Sequence, residues 1–182
     1  MIIAVVNLDT IAPPERVCGR AALYLREEMK LHHYLRPELV TLALDTEGVE
    51  NTLRDLVHLL TESGLVRDEA PVLDALLERE SAQSTGIGGG VAVPHAVYPE
   101  LNSTVIALAL SPKGIDFLSL DEKPVHAIFL LLSPPAASST HIKLLARIAR
   151  LMRQPDVLEQ LLNASSTDEV IERIRQFDEQ HA

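Results

Sequence analysis

The sequence predicts an α/β domain, and two observations carry that expectation. Three apolar runs, 91–93, 105–110 and 125–132, are continuous rather than alternating, as strands covered on both faces are. Helical apolar spacing stands both before and after that block, which supplies a layer for each face of a sheet. The 182 residues are 47% apolar, enough for one domain with its own core and a short appendage.

In chain order, MIIAVVNL at residues 1–8 reads as a buried strand or a trimmed remnant of one. Pro13 and Pro14 then open a helical pattern over 15–35, with Val17, Ala21, Leu25 and Met29 on one face. Residues 39–44 are strand-like and 45–48 have turn composition. A helix starts near Val49 and runs through Leu53, Leu56, Val57 and Leu60, with Gly64 as its stop. Asp68 is placed to cap a second helix, through Val72, Leu76 and Leu77 to Glu80, whose first turn tolerates Pro71. Between the strands, Ser111-Pro112-Lys113-Gly114 and Asp121-Glu122-Lys123-Pro124 read as turns. Helices follow over 139–154, 155–163 and 167–180, the last opened by a capping box of Ser166 and Glu169.

Charge and composition exclude several roles. A formal net charge of −10 argues against nucleic acid or anionic membrane as partner, since both call for clustered Lys and Arg. It suits docking to a protein with a basic face. The single cysteine, Cys18, leaves no internal disulfide and no Cys-based zinc site, and a reducing cytoplasmic setting follows. The apolar N-terminus lacks a basic start and meets Asp9 too early for a signal peptide. No apolar run approaches the roughly 20 residues of a membrane helix, so no direct membrane insertion is expected.

The stretch STGIGGGVAVPHA holds the chemistry. Its glycines admit φ > 0 and close approach by other groups. Pro94 then ends the short strand, so that His95 is presented at a strand end on a stiff turn. His141 follows three capping candidates, Ser138, Ser139 and Thr140, which places it in the first turn of a helix, where N–H groups and the dipole favour an anion. Arg79, in LLERES, closes the helix that feeds the glycine loop. Its alternative role is a solvated helix-end cation. The other five histidines are assigned blander places. His32, His33 and His181 are surface or satisfied residues, His58 packs in a helix and His126 packs in a strand.

A nucleophilic imidazole, a helix-start histidine and an arginine fork together suit a tetrahedral dianion, and neutral imidazole takes a phosphoryl group on nitrogen. Other templates fail. No Gly-Lys-Ser/Thr follows the glycines, so they form no P-loop. Val91 stands where a dinucleotide fingerprint needs its third glycine, and a strand follows where a helix is required. No His-x-x-x-His pair exists for a zinc on one helix. A two-histidine metal site from His95 and His141 stays open, without an evident carboxylate.

These residues resemble the enzyme IIA domains of the fructose/mannitol class in the phosphoenolpyruvate-dependent sugar phosphotransferase system, a class that includes the nitrogen-regulatory IIA proteins. LLERES, STGIGGGVAVPHA, GIDFLSLDEKPVHAIFLLLSP and THIKLLARIARLM carry the resemblance, which spans about residues 30–177. It implies a mixed β-sheet flanked by helices over 30–178, with 1–29 an appendage outside the pattern. It further implies that His95 accepts phosphate from the histidine-containing phosphocarrier protein, with His141 as second active-site histidine, Arg79 holding the phosphate, and no cofactor or metal. Onward partners are a regulated target, for a stand-alone nitrogen-regulatory-like protein, or a fructose/mannitol-type permease domain, for a transport component. A binding module that is never phosphorylated is the remaining alternative. The length of the chain, without a fused permease or phosphocarrier domain, tilts the expectation toward regulation. One departure stands out: Val97 follows Ala96 where family members often have a basic residue, which bears on phosphate binding or partner choice.

Overall fold

Strand β6, Val125–Ser133, is the centre of the architecture, because its side chains are apolar on both faces and its backbone pairs on both edges. The computed structural model describes residues 29–180. The strand expected over 1–8, most of the helix expected over 15–35, Cys18, His181 and the appendage over 1–29 lie outside the described residues, apart from Met29. Among the described residues, five further strands join β6 in one mixed sheet: β1 Val40–Thr41, β2 Gly86–Gly88, β3 Val91–Ala92, β4 His95–Val97 and β5 Val105–Ile115. The order is β1-β5-β6-β3-β2, with β4 also on β6. β5 runs antiparallel to β6, whereas β3 and β4 run parallel to it.

Alternation along β6 sorts the core into two layers. Ile128, Leu130 and Leu132 face helices α1, Gly48–Glu62, and α2, Glu69–Ala82, packing with Leu53, Leu56, Leu60 and Leu76. Ala127, Phe129 and Leu131 face α3 Ser138–Met152, α4 Val157–Leu162 and α5 Thr167–Gln180, packing with Leu144, Ile148, Leu161 and Ile174. Burial on both sides explains why the strand sequences do not alternate. Gly64, at φ +74, ends α1 as expected. The Asp68 carboxylate caps α2 by accepting from the Ala70 N–H at 3.1 Å. The α5 capping box is shifted: Ser166 Oγ accepts from the Glu169 N–H, but the Glu169 carboxylate reaches back to the Ser165 N–H at 2.8 Å.

Several expectations need correction. Ser111–Gly114 is not a turn; β5 runs through it with a register shift between Leu110 and Ile115, and Gly114 at φ +78 supplies the bend. β3 does stop before Pro94, at Ala92, but Pro94 only interrupts the ladder on β6 and does not end it. Its carbonyl accepts from the Leu131 N–H at 2.9 Å, and pairing resumes at His95 opposite Leu131, since proline is tolerated on a strand paired on one side. The described end of the 15–35 segment is a short 3₁₀ helix, Leu31–Tyr34; Pro37 holds Arg36 extended and stops it. The 39–44 strand contracts to two residues, although the Leu44 N–H still reaches the Leu110 carbonyl at 2.9 Å. His58 is exposed rather than packed. It faces away from the buried α1 positions and pairs with Glu69 at 2.7 Å.

Asp178 ties the ends of the described segment together. It is fully buried and accepts from Arg147 Nε at 2.9 Å, the His32 N–H at 3.0 Å and His32 Nδ1 at 2.9 Å. Removing one member of a buried pair strands the other charge. Asp178→Ala is therefore expected to lower unfolding free energy by about 3–5 kcal/mol, read from urea denaturation. A loss below about 1 kcal/mol, the range of exposed pairs, would contradict this role.

Candidate active site

Three elements from different parts of the chain bring Arg79, His95 and His141 together. Arg79 lies in the last turn of α2. Its Nη1 donates to the Gln83 carbonyl at 2.9 Å, and its Nε donates to His95 Nε2 at 3.1 Å. His95 opens β4, whose one strand partner among the described residues is β6, and Arg79 reaches its ring from the α2 layer. His141 is the fourth residue of α3, and its ring centroid stands 5.4 Å from that of His95, the planes at 65°. Ser138, Ser139 and Thr140 are the first helical residues and not its caps; Ala137 holds the cap position, and Ser138 Oγ donates to the Pro135 carbonyl.

The hydrogen bonds fix the His95 tautomer twice. The Val93 carbonyl, 2.8 Å from Nδ1, only accepts, so Nδ1 carries the proton. Arg79 only donates, so Nε2 presents its lone pair. Burial pushes the His95 pKa below its ordinary value, the Val93 carbonyl opposes that shift, and the Arg79 charge adds to it. The His141 pKa is lowered too, first by burial and then by His95. The pair therefore favours neutral imidazole near pH 7, with a nucleophilic nitrogen at Nε2. An anion bound at Nε2 would displace the Arg79 contact and meet the guanidinium beside it, the arrangement for holding phosphoryl oxygens.

The glycine cluster plays a different part from the one its position suggests. Gly88, Gly89 and Gly90, all at positive φ, turn the β2–β3 hairpin at the end of β3 away from His95. The Gly89 N–H donates to Asp121 at 2.9 Å and lowers that carboxyl's pKa, so it is occupied within the fold. Gly86 allows the loop after β5 to close on the hairpin, since a Cβ there would lie 2.6 Å from Ser119 Cβ. Glu80 anchors the segment between α2 and β2 by accepting from the Thr85 N–H at 2.9 Å and from its hydroxyl.

Two contacts escaped the sequence reading. The His141 Nδ1 lies 2.9 Å from Ser133 Oγ, and Ser133 in turn accepts from Thr104 Oγ1 at 3.1 Å. The available signal was a serine ending the apolar run VHAIFLLLS; Thr104 had none. Val97, 49% exposed, and Ile142, 67% exposed, flank the two histidines with open apolar surface. Among the described residues, no group of three His, Cys, Asp or Glu side chains is arranged to hold a metal ion, and no helix is long and apolar enough to cross a membrane.

Residues 33–177 match the family described as phosphoenolpyruvate-dependent sugar phosphotransferase system, EIIA 2. The chain belongs to this family. It is 37% identical over 134 residues to a nitrogen regulatory protein of Bradyrhizobium diazoefficiens, covering 73% of this chain and 86% of that one. It is 35% identical over 150 residues to the fructose-specific EIIABC component of Bacillus subtilis. That match covers 82% of this chain but 24% of the relative, so the chain spans about a quarter of that protein's length. Among solved structures, the nitrogen regulatory protein IIA-Ntr of Neisseria meningitidis superimposes with a TM-score of 0.73 at 30% identity, over 79% of this chain and 98% of that one. The mixed sheet flanked by helices is thus the enzyme IIA fold that the motifs implied.

The opposed shifts of the histidines give a direct check. Both folded site imidazoles titrate below the ordinary 6.5, so the unfolded chain binds protons first as pH falls. Their stabilising contribution is complete above pH 6.5 and declines below it, toward the depressed folded values. His58, whose hydrogen bond to Glu69 raises its pKa, is expected to titrate above 6.5. An NMR titration of the imidazole protons should place His95 and His141 below 6.5 and His58 above it. The reverse order would contradict the burial argument.

Proposed function

We propose that this enzyme IIA protein carries a phosphoryl group on His95 Nε2, received from the histidine-containing phosphocarrier protein. The observation that supports this most is the pinning of His95 between the Val93 carbonyl and Arg79, which leaves a neutral ring with one nucleophilic nitrogen. In the transfer, the Nε2 lone pair forms the new N–P bond as the N–P bond to the donor imidazole breaks. Nδ1 keeps its proton on the Val93 carbonyl, so the acceptor ring takes up no proton. Arg79 leaves Nε2 and turns its N–H groups to the phosphoryl oxygens, and His141 donates a hydrogen bond from the other side. These roles match the positions that the family motifs give to the three residues.

The phosphotransfer unit in this reading is residues 30–178, with 1–29 appended, acting in the reducing cytoplasm. The open apolar surface at Val97 and Ile142 suits a protein partner, which must bring its own histidine to His95, better than a free small molecule. The nitrogen-regulatory role is favoured by the likeness to the Neisseria structure: phosphorylation would then switch binding to a regulated target. The second reading, transfer to a fructose-type permease domain, is supported by the Bacillus relative.

Incubation with phosphoenolpyruvate, enzyme I and the phosphocarrier, followed by mass spectrometry under alkaline conditions, should add one phosphoryl group to the wild type and none to His95→Ala. Full labelling of His95→Ala would overturn the assignment. His141→Ala should still be labelled but pass the group on about 10²–10³-fold more slowly, as loss of a transition-state donor does. Onward transfer at the wild-type rate in that variant would remove His141 from the mechanism.

A further inference from the structure

Strand β6 ends in a hydroxyl that the phosphoryl relay leaves unused. Ser133 has 0% exposure and Thr104 9%, and buried hydroxyls are retained where they are hydrogen-bonded. Each has a single proton to give. Thr104 gives its proton to Ser133. Ser133 is then left with its own proton for the neighbour 2.9 Å away, His141 Nδ1. An Nδ1 that accepts leaves the ring's proton on Nε2.

We propose that Ser133, backed by Thr104, is a positioning residue that holds His141 in its Nε2–H tautomer, so that this imidazole meets the phosphoryl group on His95 as a hydrogen-bond donor. The purpose of the device rests on the phosphotransfer reading; the tautomer itself does not. The choice matters because a neutral imidazole has only one N–H. With the proton on Nδ1, the ring would turn a lone pair toward phosphoryl oxygens and repel them. The serine is well placed to enforce the choice, because its backbone belongs to the sheet and not to the helix it orients. Ser133 pairs with Val97, and its carbonyl accepts from the Tyr98 N–H at 2.9 Å. The same strand segment therefore registers His95 and steers His141.

The test is nitrogen-resolved NMR of the His141 ring in the unphosphorylated full chain, beside onward-transfer kinetics, for wild type, Ser133→Ala, Thr104→Val and Thr104→Ser. The wild type should show a protonated Nε2 and a bare Nδ1. Ser133→Ala should populate the Nδ1–H form and slow transfer by about 10–100-fold, the loss that follows when the outer partner of a metal-bound histidine is removed, with the KM for the partner unchanged. Thr104→Val should shift the tautomer in the same direction by less, and Thr104→Ser, which keeps the hydroxyl, should restore wild-type behaviour. Protonation of wild-type Nδ1, or an unchanged tautomer in Ser133→Ala, overturns the proposal. A tautomer that responds as described in a protein that takes up no phosphoryl group overturns the phosphotransfer reading and leaves the tautomer assignment standing.

Discussion

The two-sided burial of β6 is the constraint from which the rest of the structure takes its place. Each fully buried leucine or phenylalanine on it contributes about 1.5–3 kcal/mol, and Phe129, Leu130, Leu131 and Leu132 are all at 0% exposure. Neighbouring strands are therefore held in register along both edges, and a slip by one residue would exchange the two faces. That register sets His95 opposite Leu131 and Val97 opposite Ser133. The polar side chains in the run stand near its ends and are each satisfied: His126 donates to the Ser111 carbonyl at 2.9 Å, and Ser133 joins the His141 network.

Site chemistry follows from where the edge of that sheet leaves a gap. Among the described residues β4 has a strand partner on one side only, and the His95 ring is half-buried: sheltered enough to disfavour its charged form, open enough to be reached. Burial and Arg79 lower its pKa while the Val93 carbonyl raises it. The carbonyl adds more to orientation than to charge, because it reserves Nδ1 and exposes Nε2. In the proposed transfer arginine suits the other side, since its charge persists at every physiological pH and its planar fork matches phosphoryl oxygens. A lysine there would offer a point charge without that geometry.

Much of this was legible in the sequence, and the exceptions have physical causes. α1 and α2 were readable because periodicity, the Asp68 cap and the Gly64 stop agreed with one another. The two-layer sheet was readable because buried strands cannot alternate. The 111–114 segment was misread because Pro112 and Gly114 serve a bulge as well as they serve a turn, and only pairing with β6 separates the two. Pro94 was misread for a related reason: loss of its N–H does not prevent its carbonyl from continuing a ladder on one side. That Arg79, His95 and His141 come together was legible through the motifs that carry them, LLERES, STGIGGGVAVPHA and THIKLLARIARLM, and not through residue type alone. Ser133 was not, since a serine at a strand end is ordinary until the helix bringing His141 beside it is placed.

The central claim is that the fold reserves one nitrogen of His95 for chemistry, and the attachment point of the phosphoryl group tests it most directly. Long-range proton–nitrogen NMR of the phosphorylated protein distinguishes the two ring nitrogens of His95. Phosphorus is expected on Nε2, with Nδ1 still protonated against the Val93 carbonyl. A phosphoryl group on Nδ1 would contradict it, because that nitrogen is the one the Val93 hydrogen bond withholds.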